Sequence, residues 1–109
     1  YYYGNTINIY EAETTQNYPY SFTSTLKEGD CNNDVYILQN TLNYIRGSFP
    51  GIPVIENPSG QYNRDTVNAV KTFQNVFNLS QTGTVDYQTW YTISYIFIAV
   101  SKMTNSIYN

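Results

Sequence analysis

The side chains that could carry acid–base or nucleophilic chemistry are few in this chain. It has eight carboxylates, no histidine and one cysteine, Cys31. The lack of histidine excludes a Cys–His or Ser–His nucleophile pair, and one thiol provides neither an ordinary zinc site nor an intrachain disulfide. A glycosidase needs two carboxylates roughly 5–10 Å apart in a cleft. We predict no metal and no cofactor. We also predict no catalytic residue, because the candidate carboxylates occupy predicted turns and helix caps, where they are normally structural. These carboxylates are Glu28, Asp30, Asp34, Glu56, Asp65 and Asp86.

The charge and composition of the chain restrict its partners. Five basic and eight acidic residues give a net charge of −3, and the basic residues are scattered. Nucleic acids and anionic membrane surfaces attract clustered basic residues, so we predict neither as a partner. The longest apolar stretch, residues 95–100, is far shorter than the roughly 20 residues that span a bilayer. Thirteen tyrosines suit neutral ligands such as sugars and peptides, although tyrosine is also a common half-buried residue.

A turn-and-cap pattern occurs twice and predicts where two helices begin. Residues 59–70 and 82–93 match at a constant offset of 23 residues. Each copy has a glycine that permits a tight turn, then one apolar residue, then Asn63 in the first copy or Asp86 in the second. Asn and Asp accept hydrogen bonds from the first free N–H groups of a helix. We therefore predict that helices start after Asn63 and after Asp86.

The apolar periodicity predicts an all-α fold, a small three-helix bundle with an extended N-terminal arm. A first helix is capped by Asn32, Asn33 or Asp34, and Asn78 is expected to take the left-handed conformation after the second helix. The third helix has two apolar stripes, so it is the central helix or it also covers the arm or a partner. The predicted inner residues are Val35, Leu38, Leu42 and Ile45 in the first helix, Thr66, Ala69, Val70, Phe73, Val76 and Phe77 in the second, and Trp90, Ile93, Ile96, Phe97, Ala99, Val100 and Met103 in the third.

Two glutamines follow apolar positions on the first two helices. Gln39 and Gln74 are expected to satisfy backbone groups of loops with their amides, because buried polar groups need partners. A role in ligand binding is the alternative.

Residues 1–25 differ from the rest of the chain. Residues 6–10 alternate polar and apolar side chains, as in an extended arm, and residues 11–24 are polar and interrupted by Pro19, as in a linker. Because the chain starts at Tyr1 rather than Met, we expect a fragment or a processed product. The predicted organisation is an N-terminal arm or linker at 1–25, the tail of a removed upstream domain, followed by one domain at 26–105.

The order and spacing of these motifs resemble the peptidoglycan-binding domain type 1, a small three-helix cell-wall module. The resemblance runs from residue 26 to residue 100 in three blocks. The matching positions are Leu26, Gly29, Asp30, Asp34, Val35, Leu38, Gln39 and Leu42 in the first block, Gly60, Tyr62, Thr66, Ala69, Val70, Phe73 and Gln74 in the second, and Leu79, Gly83, Val85, Thr89, Trp90 and Ile93 in the third.

The chain departs from the family pattern at both turns. Ser59 and Thr82 stand where the family has Asp, and Asn63 and Asp86 stand where it has Gly. These changes keep turn and cap chemistry but alter the polar groups around the turns.

Further stretches resemble particular members of the family. Residues 43–46, 49–53 and 89–96 are similar to clostridial members, in which the module often sits at the C-terminus of cell-wall or sporulation proteins. Residues 1–4 are similar to the end of a stage II sporulation protein D-type catalytic domain.

The resemblance implies a non-catalytic module that binds the glycan or the stem peptide of peptidoglycan. It would bring an attached cell-wall or sporulation enzyme to its substrate, outside a bacterium or in its cell or spore envelope. Tyrosine rings would stack on sugars near the turn–helix junctions, and Arg64 would pair with a stem-peptide carboxylate. The alternative function is a protein-interaction or assembly domain that keeps the fold without wall affinity. The candidate ligand-binding residues are Gln61, Tyr62, Asn63, Arg64, Tyr87, Gln88 and Tyr91.

For each of these candidates a purely structural role is the alternative. Tyr62 would then belong to the core, Asn63 would only cap a helix, and Arg64 would be solvated.

Overall fold

Each of the three helices begins at a side chain that accepts a hydrogen bond from its first turn. The structure, a computed structural model, describes residues 21–108. Helix α1 spans Asn33–Arg46, α2 spans Arg64–Val76 and α3 spans Tyr87–Tyr108. Within these residues two isolated bridges are present but no strand, so the predicted all-α fold is confirmed. The capping oxygens of Asn32, Asn63 and Asp86 accept from the N–H groups of Val35, Thr66 and Thr89 at 2.9, 3.1 and 2.9 Å.

Helix α2 ends in the left-handed turn that the sequence predicts. Asn78 has a φ of 61°. Its N–H donates to the carbonyl oxygen of Asn75 at 3.3 Å, and the N–H of Leu79 donates to the carbonyl oxygen of Gln74 at 2.7 Å. This pair of bonds is the Schellman motif, which satisfies the last free carbonyls of a helix. The motif turns the chain so that Leu79 packs back against the core.

Two residues of the predicted apolar stripes are exposed, and the others are buried or half-buried. Val76 is 43% exposed, because one residue of helical rotation, about 100°, separates it from the stripe that ends at Phe77. The opposite flank of α2 is buried instead, at Val67. Met103 is 58% exposed, because it lies three residues past the buried Val100 on the 22-residue α3. Val76 and Met103 are therefore corrected from core to surface positions.

Helix α1, rather than α3, takes the central position. It packs against both α2 and α3. In the second apolar stripe of α3, Ile96 and Ala99 are half-buried and Met103 is exposed. Phe97 is half-buried as well, and its ring lies 5.3 Å from the ring of Tyr44 on α1. Most of the predicted N-terminal arm, residues 1–20, lies outside the described residues. That the arm or a partner covers this side of α3 stays a prediction.

One buried hydroxyl in the core gives a test of the packing. Ser94 on α3 is fully buried, and its Oγ has no hydrogen-bond partner among the described residues. Alanine removes this unsatisfied group and favours the helix more than serine does. We expect Ser94→Ala to raise the free energy of unfolding by about 0.5–1.5 kcal/mol in urea denaturation. Ser101→Ala on the same helix, where the side chain is half-buried, is the matched control. A loss of stability in Ser94→Ala would contradict the conclusion that the Ser94 Oγ atom is buried without a hydrogen-bond partner.

Candidate ligand-binding site

The two turn–helix junctions that the repeat predicts are held beside each other. The segment before α1 pairs with both of them. Leu26 and Val85 exchange two backbone hydrogen bonds, of 3.1 and 2.8 Å. Further along, the N–H of Gly29 donates to the carbonyl oxygen of Tyr62 at 3.0 Å, and the N–H of Tyr62 donates to that of Asp30 at 2.8 Å. The first turns of α2 and α3 therefore lie on one side of the molecule.

A buried glutamine from α1 closes the turn that precedes α2. The Oε1 atom of Gln39 accepts from the N–H of Gly60 at 2.8 Å. Its Nε2 atom donates to the carbonyl oxygen of Gln61 and to the Oγ1 atom of Thr66, both at 2.9 Å. The side chain is fully buried, so these groups take the place of water.

An equivalent glutamine from α2 closes the turn that precedes α3. Gln74 Oε1 accepts from the N–H of Gly83 at 3.0 Å, and Nε2 donates to the carbonyl oxygen of Thr84 at 3.0 Å. The same Nε2 also donates to the Oγ1 atoms of Thr82 and Thr89, both at 3.1 Å. Gly83, Thr84 and Thr89 stand 23 residues after the three Gln39 partners, so three of the four partners of Gln74 occupy equivalent places in the repeat. The prediction that both amides satisfy loop backbone is confirmed, and their burial keeps them from surface ligands.

Tyr62 is a core residue and not an accessible platform for a sugar. It is 1% exposed, and its hydroxyl donates to the carbonyl oxygen of Gly83. The equivalent residue of the second copy, Val85, is fully buried as well. The side chain at this place in the repeat fills the core below the turn. Burial therefore removes Tyr62 from the set of accessible candidates.

The other candidates at the first junction are exposed. Asn63 caps α2, and its Oδ1 atom accepts from both the N–H and the hydroxyl of Thr66, each at 3.1 Å. Arg64 lies 3.7 Å from the carboxylate of Glu28, and both side chains are mostly solvent-accessible. An exposed ion pair of this kind contributes about 0–1 kcal/mol, so Arg64 can exchange Glu28 for another carboxylate. Gln61 is also exposed.

The candidates at the second junction form an aromatic surface at the start of α3. Tyr87 and Tyr91 are 63% and 49% exposed, and Gln88 between them is exposed too. The two rings lie within 25° of parallel, with centroids 6.3 Å apart. The ring of Phe22 packs against Tyr87 at 5.5 Å and nearly at a right angle. These contacts hold the Tyr87 ring in place while leaving much of it in solvent.

Two open grooves lie elsewhere, on the outer side of α1, and the sequence did not indicate them. One has a volume of about 410 Å³ and lies where α1 begins, beside the turn at Gly60. The other has a volume of about 520 Å³ and lies between α1 and α3. Tyr36 borders both. The exposed tyrosines of α1, at 36 and 44, were the available signal, since an eight-residue spacing leaves two side chains within about 80° of each other around a helix.

The described residues contain neither a metal-binding cluster nor a helix suited to crossing a membrane. In residues 21–108, no group of three or more His, Cys, Asp or Glu side chains is placed to hold a metal ion. None of the helices in that range has the length and apolar character that crossing a bilayer requires.

The chain matches the model of a known protein family. The model of the family described as a putative peptidoglycan binding domain matches residues 31–93. The matched region contains all of α1 and α2, both turn-and-cap units and both buried glutamines. A search of curated proteins finds no match.

Proposed function

We infer a role at the bacterial cell wall from one premise: the chain belongs to the family of putative peptidoglycan-binding domains. We propose that residues 26–105 form a non-catalytic module of the clostridial type that binds peptidoglycan. The module would hold an attached cell-wall or sporulation enzyme close to its substrate. This places it outside the cell or in the cell or spore envelope of a bacterium.

The observation that carries this proposal is the pair of exposed, nearly parallel rings of Tyr87 and Tyr91 at a turn–helix junction. The face of a pyranose ring is lined with C–H groups and packs against aromatic faces, while phenolic hydroxyls hydrogen-bond at the edge. Arg64 at the neighbouring junction offers two parallel N–H donors to a stem-peptide carboxylate. Both chemical parts of peptidoglycan would therefore find a matching group on this side of the domain.

A second candidate function, a protein-interaction or assembly domain, is favoured by a different surface. The groove between α1 and α3 is lined by Tyr44 and Phe97, together with Ile37. Aromatic and aliphatic side chains of this kind are typical of the centre of a protein–protein interface. A domain with this function would bind a protein through the groove and show no affinity for the wall.

Binding to purified insoluble sacculi separates the two functions. We expect the intact chain to sediment with sacculi, and Tyr87→Ala to weaken this binding about 3- to 10-fold, because a stacked aromatic group contributes roughly 0.5–1.5 kcal/mol beyond its buried area. Arg64→Ala is expected to weaken binding by a similar factor through loss of a charge-assisted hydrogen bond.

Tyr44→Ala is the matched control, since Tyr44 is an exposed tyrosine on α1, outside the proposed site. Failure of the intact chain to sediment would favour the interaction domain instead. Release of muropeptides from the sacculi by the chain alone would contradict the non-catalytic assignment.

A further inference from the structure

Three exposed tyrosines lie four residues apart along α3. Tyr87, Tyr91 and Tyr95 are 63%, 49% and 54% exposed. A four-residue step returns a helix to nearly the same side and advances it by about 6 Å. The three side chains therefore form one ridge about 12 Å long. We call this surface the tyrosine ridge; its first two members belong to the proposed wall-binding site, and Tyr95 extends it away from the junction.

The tyrosine ridge lies on the uncharged part of α3. Residues 87–101 contain no Asp, Glu, Lys or Arg, and Lys102 is the first charged residue of α3. The exposed side chain between the first two ridge members is Gln88, a neutral amide. Within residues 87–101 a stem peptide with free carboxylates or amines finds no charged side chain to pair with, and the neighbouring carboxylate of Asp86 caps α3. A strand of N-acetylated sugars needs none, since it offers C–H faces, hydroxyls and amides.

At least part of the ridge is preorganised. The rings of Tyr87 and Tyr91 lie within 25° of parallel, and Phe22 braces Tyr87. Rings held in place before binding lose little conformational entropy when a ligand stacks on them. The regular rise of the helix then sets the spacing between successive aromatic side chains, which suits a polymer of similar ring-sized units more than a single small molecule.

We propose that the tyrosine ridge is the docking surface for the glycan strand of peptidoglycan, with sugars of one strand packed along Tyr87, Tyr91 and Tyr95. The proposal rests on the proposed function and narrows it, because the glycan and not the stem peptide becomes the main ligand. It also adds Tyr95 to the site. Arg64, at the other junction, would then contact only the carboxylate of a stem peptide that branches from a strand already bound.

The test uses the full 109-residue chain and three probes: whole sacculi, glycan strands freed of stem peptides by amidase digestion, and the released stem peptides. We expect binding to sacculi and to the freed strands, and no competition by the stem peptides. Tyr95→Ala is expected to weaken binding to both glycan-containing probes about 3- to 10-fold, whereas Tyr95→Phe keeps the ring and most of the affinity. Tyr36→Ala, an exposed tyrosine on α1, is the matched control.

The outcomes separate this inference from the function on which it rests. If sacculi retain the chain but Tyr95→Ala binds as well as the unaltered chain, or if stem peptides displace it, the ridge is not the docking surface while wall binding stands. If sacculi do not retain the chain at all, both proposals are overturned. Thermal denaturation of each variant, with unchanged midpoints, shows that a loss of binding is not a loss of folding.

Discussion

Replacement of Gln74 by alanine is expected to lower the free energy of unfolding by about 3–5 kcal/mol, the largest loss that we expect from a change of one polar side chain. The amide of Gln74 joins α2 to the turn before α3 through the N–H of Gly83, the carbonyl oxygen of Thr84 and the hydroxyl of Thr89. Its removal strands a buried N–H group, which costs roughly 1–3 kcal/mol, and leaves a cavity in the core. Small domains have free energies of unfolding of about 5–15 kcal/mol, so this loss would remove a large part of the total stability.

Chemical denaturation of three variants isolates the cause. Gln74→Met keeps most of the side-chain volume but not the hydrogen bonds, so a similar loss in this variant assigns the effect to the bonds and not to the cavity. Gln39→Ala is expected to give a loss of the same size, because its amide makes the equivalent bonds before α2. Gln81→Ala is the control, since Gln81 is exposed and its amide donates to the Oδ1 atom of Asn75 near the end of α2. A loss below about 1 kcal/mol in Gln74→Ala would show that water replaces the amide.

The helices and their ends were predictable because they depend on residues close in sequence. A cap needs only the side chain and the first turn, so Asn63 and Asp86 could be assigned without any tertiary information. The same holds for Asn78, whose left-handed conformation is set by the local end of α2. Apolar periodicity then fixed which side of each helix faces inward, although not how wide the buried side is. Neighbouring elements decide that width, as the exposure of Val76 and the burial of Val67 show.

The glutamine contacts were predictable in kind but not in detail. The sequence indicates that both amides should satisfy loop backbone, yet 21 residues separate Gln39 from Gly60 and only nine separate Gln74 from Gly83. The long loop between α1 and α2 accounts for the larger separation of Gln39 from Gly60. No constant offset therefore joins each glutamine to its turn, and the equivalence becomes visible only when the chain is folded.

The candidate site was predictable as a region rather than residue by residue. Both turn–helix junctions do lie together, but Tyr62 is buried between them. The core alternative for Tyr62 is the one that holds, and the alignment of Tyr62 with Val85 in the repeat was a signal for its burial. Tyr95 was overlooked for the opposite reason: it lies two helical turns beyond the junction, so attention to the turns alone missed it. Its four-residue spacing from Tyr91 was the signal that could have identified it.

Replacement of Gly60 by alanine is expected to lower the free energy of unfolding by about 2–4 kcal/mol, the second large effect. Gly60 has a φ of +88°, which costs an L-residue roughly 1–3 kcal/mol. A Cβ atom there would also lie 3.1 Å from the carbonyl oxygen of Asn32, which is backbone and cannot rotate away. The same two residues are joined by a 3.0 Å hydrogen bond from the N–H of Asn32 to the carbonyl oxygen of Gly60. A methyl group would therefore push the cap of α1 away from the turn that Gln39 closes.

Two other glycines separate the conformational cost from the steric one. Gly29 has a φ of +98°, but a Cβ atom there would meet nothing within 4 Å, so Gly29→Ala bears the conformational cost alone. Gly51 has neither a left-handed φ nor a neighbour within 4 Å, and Gly51→Ala should change stability by less than about 0.5 kcal/mol. Urea denaturation of the three variants should rank the losses in the order Gly60, Gly29, Gly51. If Gly60→Ala lowers the free energy of unfolding no more than Gly29→Ala does, the backbone of Asn32 moves away at no cost. The junction between α1 and the first turn-and-cap unit would then be less rigid than its hydrogen bonds imply.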